Sequence, residues 1–275
     1  MGRLPERPVQ RGLHAEPMRR LRTLLNRALH PFNLHIEPYT DMQRAWAAGP
    51  EARDLAFLRA VPDKVGRELF GLLGKSRAQL RQDLFVLAET DLMTQGYFVE
   101  FGATNGVDLS NTCLLEQEFG WRGILAEPAK CWHAALRQNR RAVIETDCVW
   151  TVSDETLEFN EVGVYSTIDA LSAGDMHKST RAHGQRYSVK TVSLMDMLRR
   201  HGAPKDIEYL SIDTEGSEFD ILREFDFAAY NIKIITCEHN FTPARSKIYD
   251  LLTSRGYVRK LDAVSQFDDW YVKPT

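Results

Sequence analysis

The sequence lacks most of the features that would mark a specialised class. Four cysteines, Cys113, Cys131, Cys148 and Cys237, are spread along 275 residues without a C-x-x-C pair. That spacing argues against a zinc site or a disulfide framework and predicts reduced thiols. No apolar run reaches membrane-spanning length, and no signal-peptide core follows the basic start, so a cytoplasmic protein is expected. The net charge is only −3, so there is no global basic field and nucleic acid is not an expected partner. A composition 43% hydrophobic and 27% charged is that of an ordinary globular protein, long enough for one substantial domain plus an extension.

The charge that is present is uneven. Residues 1–30 hold seven Arg against two Glu, a balance of +5 that leaves −8 for the remainder. Residues 1–17, with three prolines, predict disorder. Met18, Leu21, Leu25, Ala28 and Leu29 then share one helical face, with Arg19, Arg20 and Arg27 opposite, which predicts a basic amphipathic helix over 18–29. Such a helix lies peripherally on an anionic membrane, or packs on the domain or on a second subunit of a homodimer; packing is the favoured expectation. Short helical patterns follow to residue 75. Residues 1–78 thus read as a helical N-terminal extension and 79–275 as the main domain.

From Gly96 strand and helix patterns alternate. Strands are expected at Tyr97–Phe101, Gly123–Glu127, Ala142–Thr146, Ile207–Asp213, Ile232–Glu238, Tyr257–Leu261 and Trp270–Lys273, with helices between most of them. That order predicts an α/β fold with a parallel sheet covered by helices on both faces. Residues 160–190 have weak periodicity and read as an excursion over the sheet edge. Trp132 and Trp150 are expected in packing, Trp121 and Trp270 as partly exposed.

In an open parallel sheet ligands collect at the carboxyl ends of the strands. Every such exit here is acidic: Glu100, Glu127, Asp147, Asp213 and Glu238. The first lies in FVEFGATNGVDLSN, where Gly102, Ala103 and Gly106 form a tight turn and Ser110 and Asn111 stand near the expected start of a helix with free N–H groups. Glu127, 21 positions after Gly106 and followed by Pro128, is placed to accept hydrogen bonds from ribose hydroxyls; a plain strand-ending carboxylate is the alternative. Asp147 and the backbone of Cys148 are placed for an adenine amino group, or Asp147 is a solvated turn residue. A pyrophosphate would not be favoured beside Glu100, whereas the sulfonium and ammonium of S-adenosylmethionine would be.

These stretches resemble the FkbM-type S-adenosylmethionine-dependent methyltransferases. The resemblance is carried by RQDLFVLAE (Arg81–Glu89), GYFVEFGATNGVDLSNTCLLE (Gly96–Glu116), GWRGILAEP (Gly120–Pro128), YLSIDTEGSEFDIL (Tyr209–Leu222), IITCEHN (Ile234–Asn240) and DDWYVK (Asp268–Lys273). They cover about seven-tenths of the chain in family order. Thr104-Asn105 departs from the small or acidic pair more often found in the cofactor turn. The resemblance implies a Rossmann-like class I methyltransferase sheet of about seven strands, mostly parallel with the last strand antiparallel. It also implies methyl transfer to oxygen, commonly a sugar hydroxyl of a glycan or a glycosylated natural product, hence a carbohydrate acceptor and a role in glycan biosynthesis.

A hydroxyl needs a base or a metal before it attacks. His239 is the expected base, with Asp213 either orienting it or binding the acceptor hydroxyl and Glu215, Glu218 and Glu238 as supporting carboxylates. The same Asp213, Glu238 and His239 are also a set for a divalent cation, magnesium or manganese, which stands second. Ser217 and Glu218 are residue types common near helix starts, and capping the helix after Asp213 is the alternative reading of this stretch. His177 and His183 are expected to face solvent. An NAD-type oxidoreductase and a non-catalytic cofactor-fold module are the competing functions.

Overall fold

The computed structural model describes residues 49–172 and 178–274. The expected basic helix over 18–29 and His177 lie outside the described residues. The strands are β1 (Tyr97–Phe101), β2 (Arg122–Ala126), β3 (Val143–Glu145), β4 (Cys148–Trp150), β5 (Thr156–Glu161), β6 (Thr167–Ile168), β7 (Gln185–Ser193), β8 (Asp206–Ile212), β9 (Asn231–Glu238), β10 (Val258–Lys260) and β11 (Asp268–Val272). The helices are α1 (Pro50–Ala60), α2 (Asp63–Leu72), α3 (Gln82–Glu89), α4 (Cys113–Phe119), α5 (His133–Asn139), α6 (Lys178–Arg181), α7 (Leu194–Arg200), α8 (Glu218–Arg223), α9 (Ala244–Ser254) and α10 (Asp262–Ser265).

Seven strands form one sheet in the order β10-β11-β9-β8-β1-β2-β3. All neighbours pair parallel except β11, which runs antiparallel between β9 and β10. The expected mostly parallel sheet with an antiparallel last strand is therefore present. Alternation of side chains sends Val99, Leu210 and Ile235 to one face, where α7, α8 and α9 cover them. Phe98, Tyr209, Ile234 and Trp270 go to the other face and meet α3 and α4. Phe57 and Val61 of α1 and Val65 and Leu69 of α2 join that second core. Trp270 is its centre, stacked on Phe85 at 4.7 Å and touched edge-on by Phe57 at 6.3 Å. Trp121 and Trp270, expected at the surface, are both buried, because the helices before β1 cover this face completely.

Residues 148–193 hold a second sheet, β4-β7-β5-β6, where only an excursion was expected. Its signal is weak for a physical reason. β7 interleaves Arg186, Ser188 and Lys190 with its few buried residues, its partner β4 has only three residues, and β6 at the sheet edge has two. A small cluster of Ala129, Cys148, Phe159, Ile168 and Val189 seals this sheet against the exit of β2.

The turn after β1 lies against the exit of β8. Gly102 has φ +71°, and a Cβ there would run into the carbonyl oxygen of Asp213. Gly102→Ala therefore combines a left-handed backbone with a backbone clash. A loss of about 2–3 kcal/mol is expected, read as a lowered urea midpoint. An unchanged midpoint would contradict the close approach of these two turns.

Candidate active site

Glu100 does not face open space. Its carboxylate accepts from Ser110 Oγ at 3.1 Å, from the Asn111 amide at 2.8 Å and from the Thr112 hydroxyl. Arg140, with no exposed side-chain surface, lies behind it at 3.9 Å and donates to the Gly106 carbonyl, Ser110 Oγ and Thr112 Oγ1. Burial raises the Glu100 carboxyl above its ordinary range, against the pull of Arg140 and these donors. Glu100 is thus the anchor of the 102–112 loop.

That loop spends its amides on itself. Gly102 and Ala103 donate to the Ala126 carbonyl, Gly106 donates to Ala103, and Val107 and Asp108 donate to Asn105 Oδ1. Thr112 and Cys113 donate to Ser110 Oγ. The free N–H groups expected near Asp108, Ser110 and Asn111 are absent here. The helix begins only at Cys113, and side chains already satisfy the amides before it. Such a turn has little to offer a phosphate.

Glu127 bridges two exits, accepting from the Thr104 amide at 2.7 Å and the Ala129 amide at 2.8 Å. Burial, with Asp213 and Glu161 nearby, pushes its carboxyl up to about 7. Each oxygen keeps a lone pair for a hydroxyl donor. Pro128 follows, half-buried. Asp147 pairs with Arg200 at 2.8 Å, and its amide donates to Glu145. Cys148 is buried, and desolvation with Glu127 and Asp147 nearby raises its thiol to about 12, so it brings packing and backbone rather than a reactive sulfur.

At the exits of β8 and β9 and the start of the antiparallel β11 the pairing register builds a row of acids. Ser211 pairs with Thr236, Thr236 with Trp270, and Glu238 with Asp268. Two residues further on from Ser211, Asp213 comes to the same face, beside Glu238. Carboxylate oxygens of Asp213, Glu238 and Glu215 lie within 4.8 Å of one another. Burial, with Glu218 and Glu100 nearby, raises Asp213 to about 6. Burial and the Asp213 charge raise Glu238 further. Asp268, bonded to Gln82 Nε2 at 2.9 Å and Trp270 Nε1 at 3.1 Å, is pushed by burial up to about 8. Glu218 does more than cap a helix. Its Oε1 accepts from the Thr214 amide and hydroxyl and the Gly216 amide, pinning the turn that carries Glu215, itself at φ +58°.

His239 follows Glu238 directly, so its side chain goes the other way. Its ring is 1% exposed; Nδ1 accepts from the Phe241 amide at 3.0 Å, and Nε2 stands 3.7 Å from Asp269. Burial lowers its pKa to about 4. Asp213 therefore does not orient this imidazole; Asp269, held by Arg245, is its neighbour. A cavity of about 210 Å³ opens beside these exits, lined among others by Leu171, Glu215, Glu238, Asn240 and Pro243. Asp268, Gln82 and Arg140 were not expected in the site's framework. The signal for Asp268 is an acidic pair opening an inner strand.

A seven-stranded, mostly parallel sheet of this topology with acidic exits is a Rossmann-like α/β fold. Residues 100–259, more than half of the chain, match the methyltransferase FkbM domain, and the chain belongs to that family of methyltransferases. Its activity is thus S-adenosylmethionine-dependent methylation. No curated protein matches the sequence. Among solved structures, a human methyltransferase 10 domain containing protein is 11% identical with TM-score 0.32, covering 95% of this chain and 97% of its own. A mutant of MtNAS is 12% identical with TM-score 0.34, covering 80% and 67%. An uncharacterised Burkholderia thailandensis protein is 12% identical with TM-score 0.26, covering 97% and 75%. Likenesses this distant carry none of the assignment.

The raised carboxyls give a signed pH dependence. Unfolded carboxyls titrate near ~4, so the folded chain holds these protons more tightly. Their contribution is complete below about pH 4 and is lost as pH climbs through the folded values of about 6 to about 8. Asp268→Asn, which mimics the protonated acid, should flatten the fall of Tm between pH 5.5 and 8.5. It should leave the variant more stable than wild type at the alkaline end by on the order of 1 kcal/mol. An identical slope in both proteins would contradict a protonated Asp268.

Proposed function

We propose that the chain methylates a hydroxyl oxygen, and that this hydroxyl belongs to a sugar of a glycan or a glycosylated natural product. The observation that carries the reading is the Asp213–Glu238 pair at the side of the cavity. Two carboxylates this close share protons; burial lifts Asp213 to about 6 and Glu238 well above its ordinary range, so the pair can hold a proton taken from a hydroxyl. The cavity wall mixes carboxylates and Asn240 with Leu171 and Pro243, a lining suited to a molecule with both hydroxyls and C–H faces.

The donor set fits S-adenosylmethionine. Most of the 102–112 amides are committed, Glu127 retains acceptor capacity for ribose hydroxyls, and the acidic row beside Gly102 favours a cationic centre. Glu100, Gly102, Ala103, Gly106, Ser110 and Asn111 shape that site, with Pro128, Asp147 and Cys148 on its far side. When bound, the cofactor supplies an electrophilic methyl group. In this reading Glu238, oriented by Asn240 Nδ2 at 2.9 Å, and Asp213 take the proton from the acceptor oxygen and later release it to water. Asn111 Nδ2 bonds to Ser211 at 2.9 Å and ties the cofactor loop to the strand that ends at Asp213. His239, buried and neutral, holds the turn through Phe241 rather than taking the proton.

Labelled methyl transfer, screened over glycan precursors and read by mass spectrometry, tests the acceptor class. Glu238→Gln should keep cofactor binding and lose about 10²–10³-fold in turnover, while His239→Ala loses far less. Full activity in Glu238→Gln would exclude it as the proton acceptor. The close approach of Asp213, Glu215 and Glu238 also favours a second reading, in which these oxygens hold magnesium or manganese and polarise the hydroxyl. Activity unaffected by exhaustive chelation would eliminate that reading.

A further inference from the structure

The second sheet takes no part in the cofactor turn, yet it meets the acid row at a buried point. Arg181, in α6, has no exposed side-chain surface. Its Nη2 donates to Glu215 Oε2 at 2.8 Å and its Nε to the Tyr165 carbonyl at 2.8 Å. Asn160 of β5 donates to the Arg181 carbonyl at 2.9 Å. Thr167 of β6 places its hydroxyl 3.1 Å from the Glu215 carbonyl and 3.3 Å from that of Thr214. Two elements of the small sheet region, α6 and β6, are thus tied to the turn that leaves β8, and β5 is tied in turn to α6.

What this attachment positions is Leu171. Its Cδ1 would lie 3.7 Å from a Cβ built on Gly216, and it lines the cavity together with Thr242, Pro243 and Ala244 from the β9 exit. A buried ion pair is a weak source of net stability, because taking both charges out of water offsets most of their attraction. Its geometry is nonetheless demanding, and a misplaced partner is costly. Such a contact suits an element that must hold one distance.

We infer that the small sheet forms the acceptor-selecting wall of the cavity, with Leu171 as its contact surface and the Arg181–Glu215 ion pair as the positioning contact that sets its distance from Asp213 and Glu238. The inference rests on reading the cavity as the acceptor site. Leu171 and Pro243 offer apolar surface to the C–H face of a sugar ring, while Glu238 and Asn240 meet its hydroxyls. The far side of the sheet does meet the cofactor side, through Cys148 of β4 and through Glu161, which accepts from the Cys131 amide beyond Glu127. Leu171 and Arg181 lie at the other side, against the Glu215 turn, so changes there are expected to act on the acceptor.

The test separates acceptor recognition from cofactor binding, with methyl glycosides and simple alcohols as probes. Leu171→Trp, which narrows the cavity, should raise the KM for a glycoside at least about tenfold, with S-adenosylmethionine affinity by calorimetry within about twofold of wild type. Arg181→Met should show the same split, and Arg181→Lys should restore part of the lost KM. An unchanged KM in Leu171→Trp, or cofactor affinity falling in parallel with it, would overturn the wall. Should Arg181→Met fail to fold, the Leu171 variant still decides. Wild-type transfer to simple alcohols but to no glycoside sinks the sugar reading instead, and the same KM comparison then runs on the alcohol. Transfer to neither class of probe rejects the cavity as a hydroxyl-acceptor site, and the wall with it.

Discussion

Buried carboxylates that accept hydrogen bonds from nearby loops hold the functional edge of this sheet together. Glu100 gathers Ser110, Asn111 and Thr112; Glu127 joins Thr104 to Ala129; Glu145 accepts the amides of Thr146 and Asp147; Glu218 gathers Thr214 and Gly216. Bonds from several donors converge on each carboxylate and oppose, without cancelling, the cost of burying its charge, which is why Glu100, Glu127 and Glu218 hold protons more tightly than usual. The negative excess of residues 31–275 is therefore partly structural.

This arrangement has a chemical consequence. A loop whose amides are already satisfied by its own carbonyls and carboxylates cannot present a nest of N–H groups to a pyrophosphate. The same carboxylates, beside the Gly102 turn, favour a positive centre. Family membership establishes methyl transfer; the anchored loops supply the physical reason why this α/β sheet suits a sulfonium cofactor rather than a dinucleotide. Strand alternation then sorts the residues beyond β9, turning Glu238 toward Asp213 and His239 toward Asp269 and Arg245.

Much of this was legible in the sequence because its main strands are strong. Expected and observed bounds of β1, β2, β8 and β9 agree to within a residue, since dense apolar runs ending at acids or prolines leave little choice. The acids at the exits were legible for the same reason. Their partners were not: Glu100 is satisfied by residues ten to twelve positions later, and Asp268 by Gln82, 186 positions away. His239 does line the cavity with Glu238, but its ring turns from Asp213 toward Asp269, which the sequence did not show. The second sheet was hidden because β7 mixes charged and buried positions and because β4 and β6, with three and two residues, are too short to show a period.

The central claim is that satisfied loops and an acidic row select a cationic adenosine cofactor. The direct measurement is calorimetric titration of the full chain with S-adenosylmethionine and, separately, with NAD. The account predicts stoichiometric binding of S-adenosylmethionine and none of NAD under the same conditions. Tighter binding of NAD would contradict it.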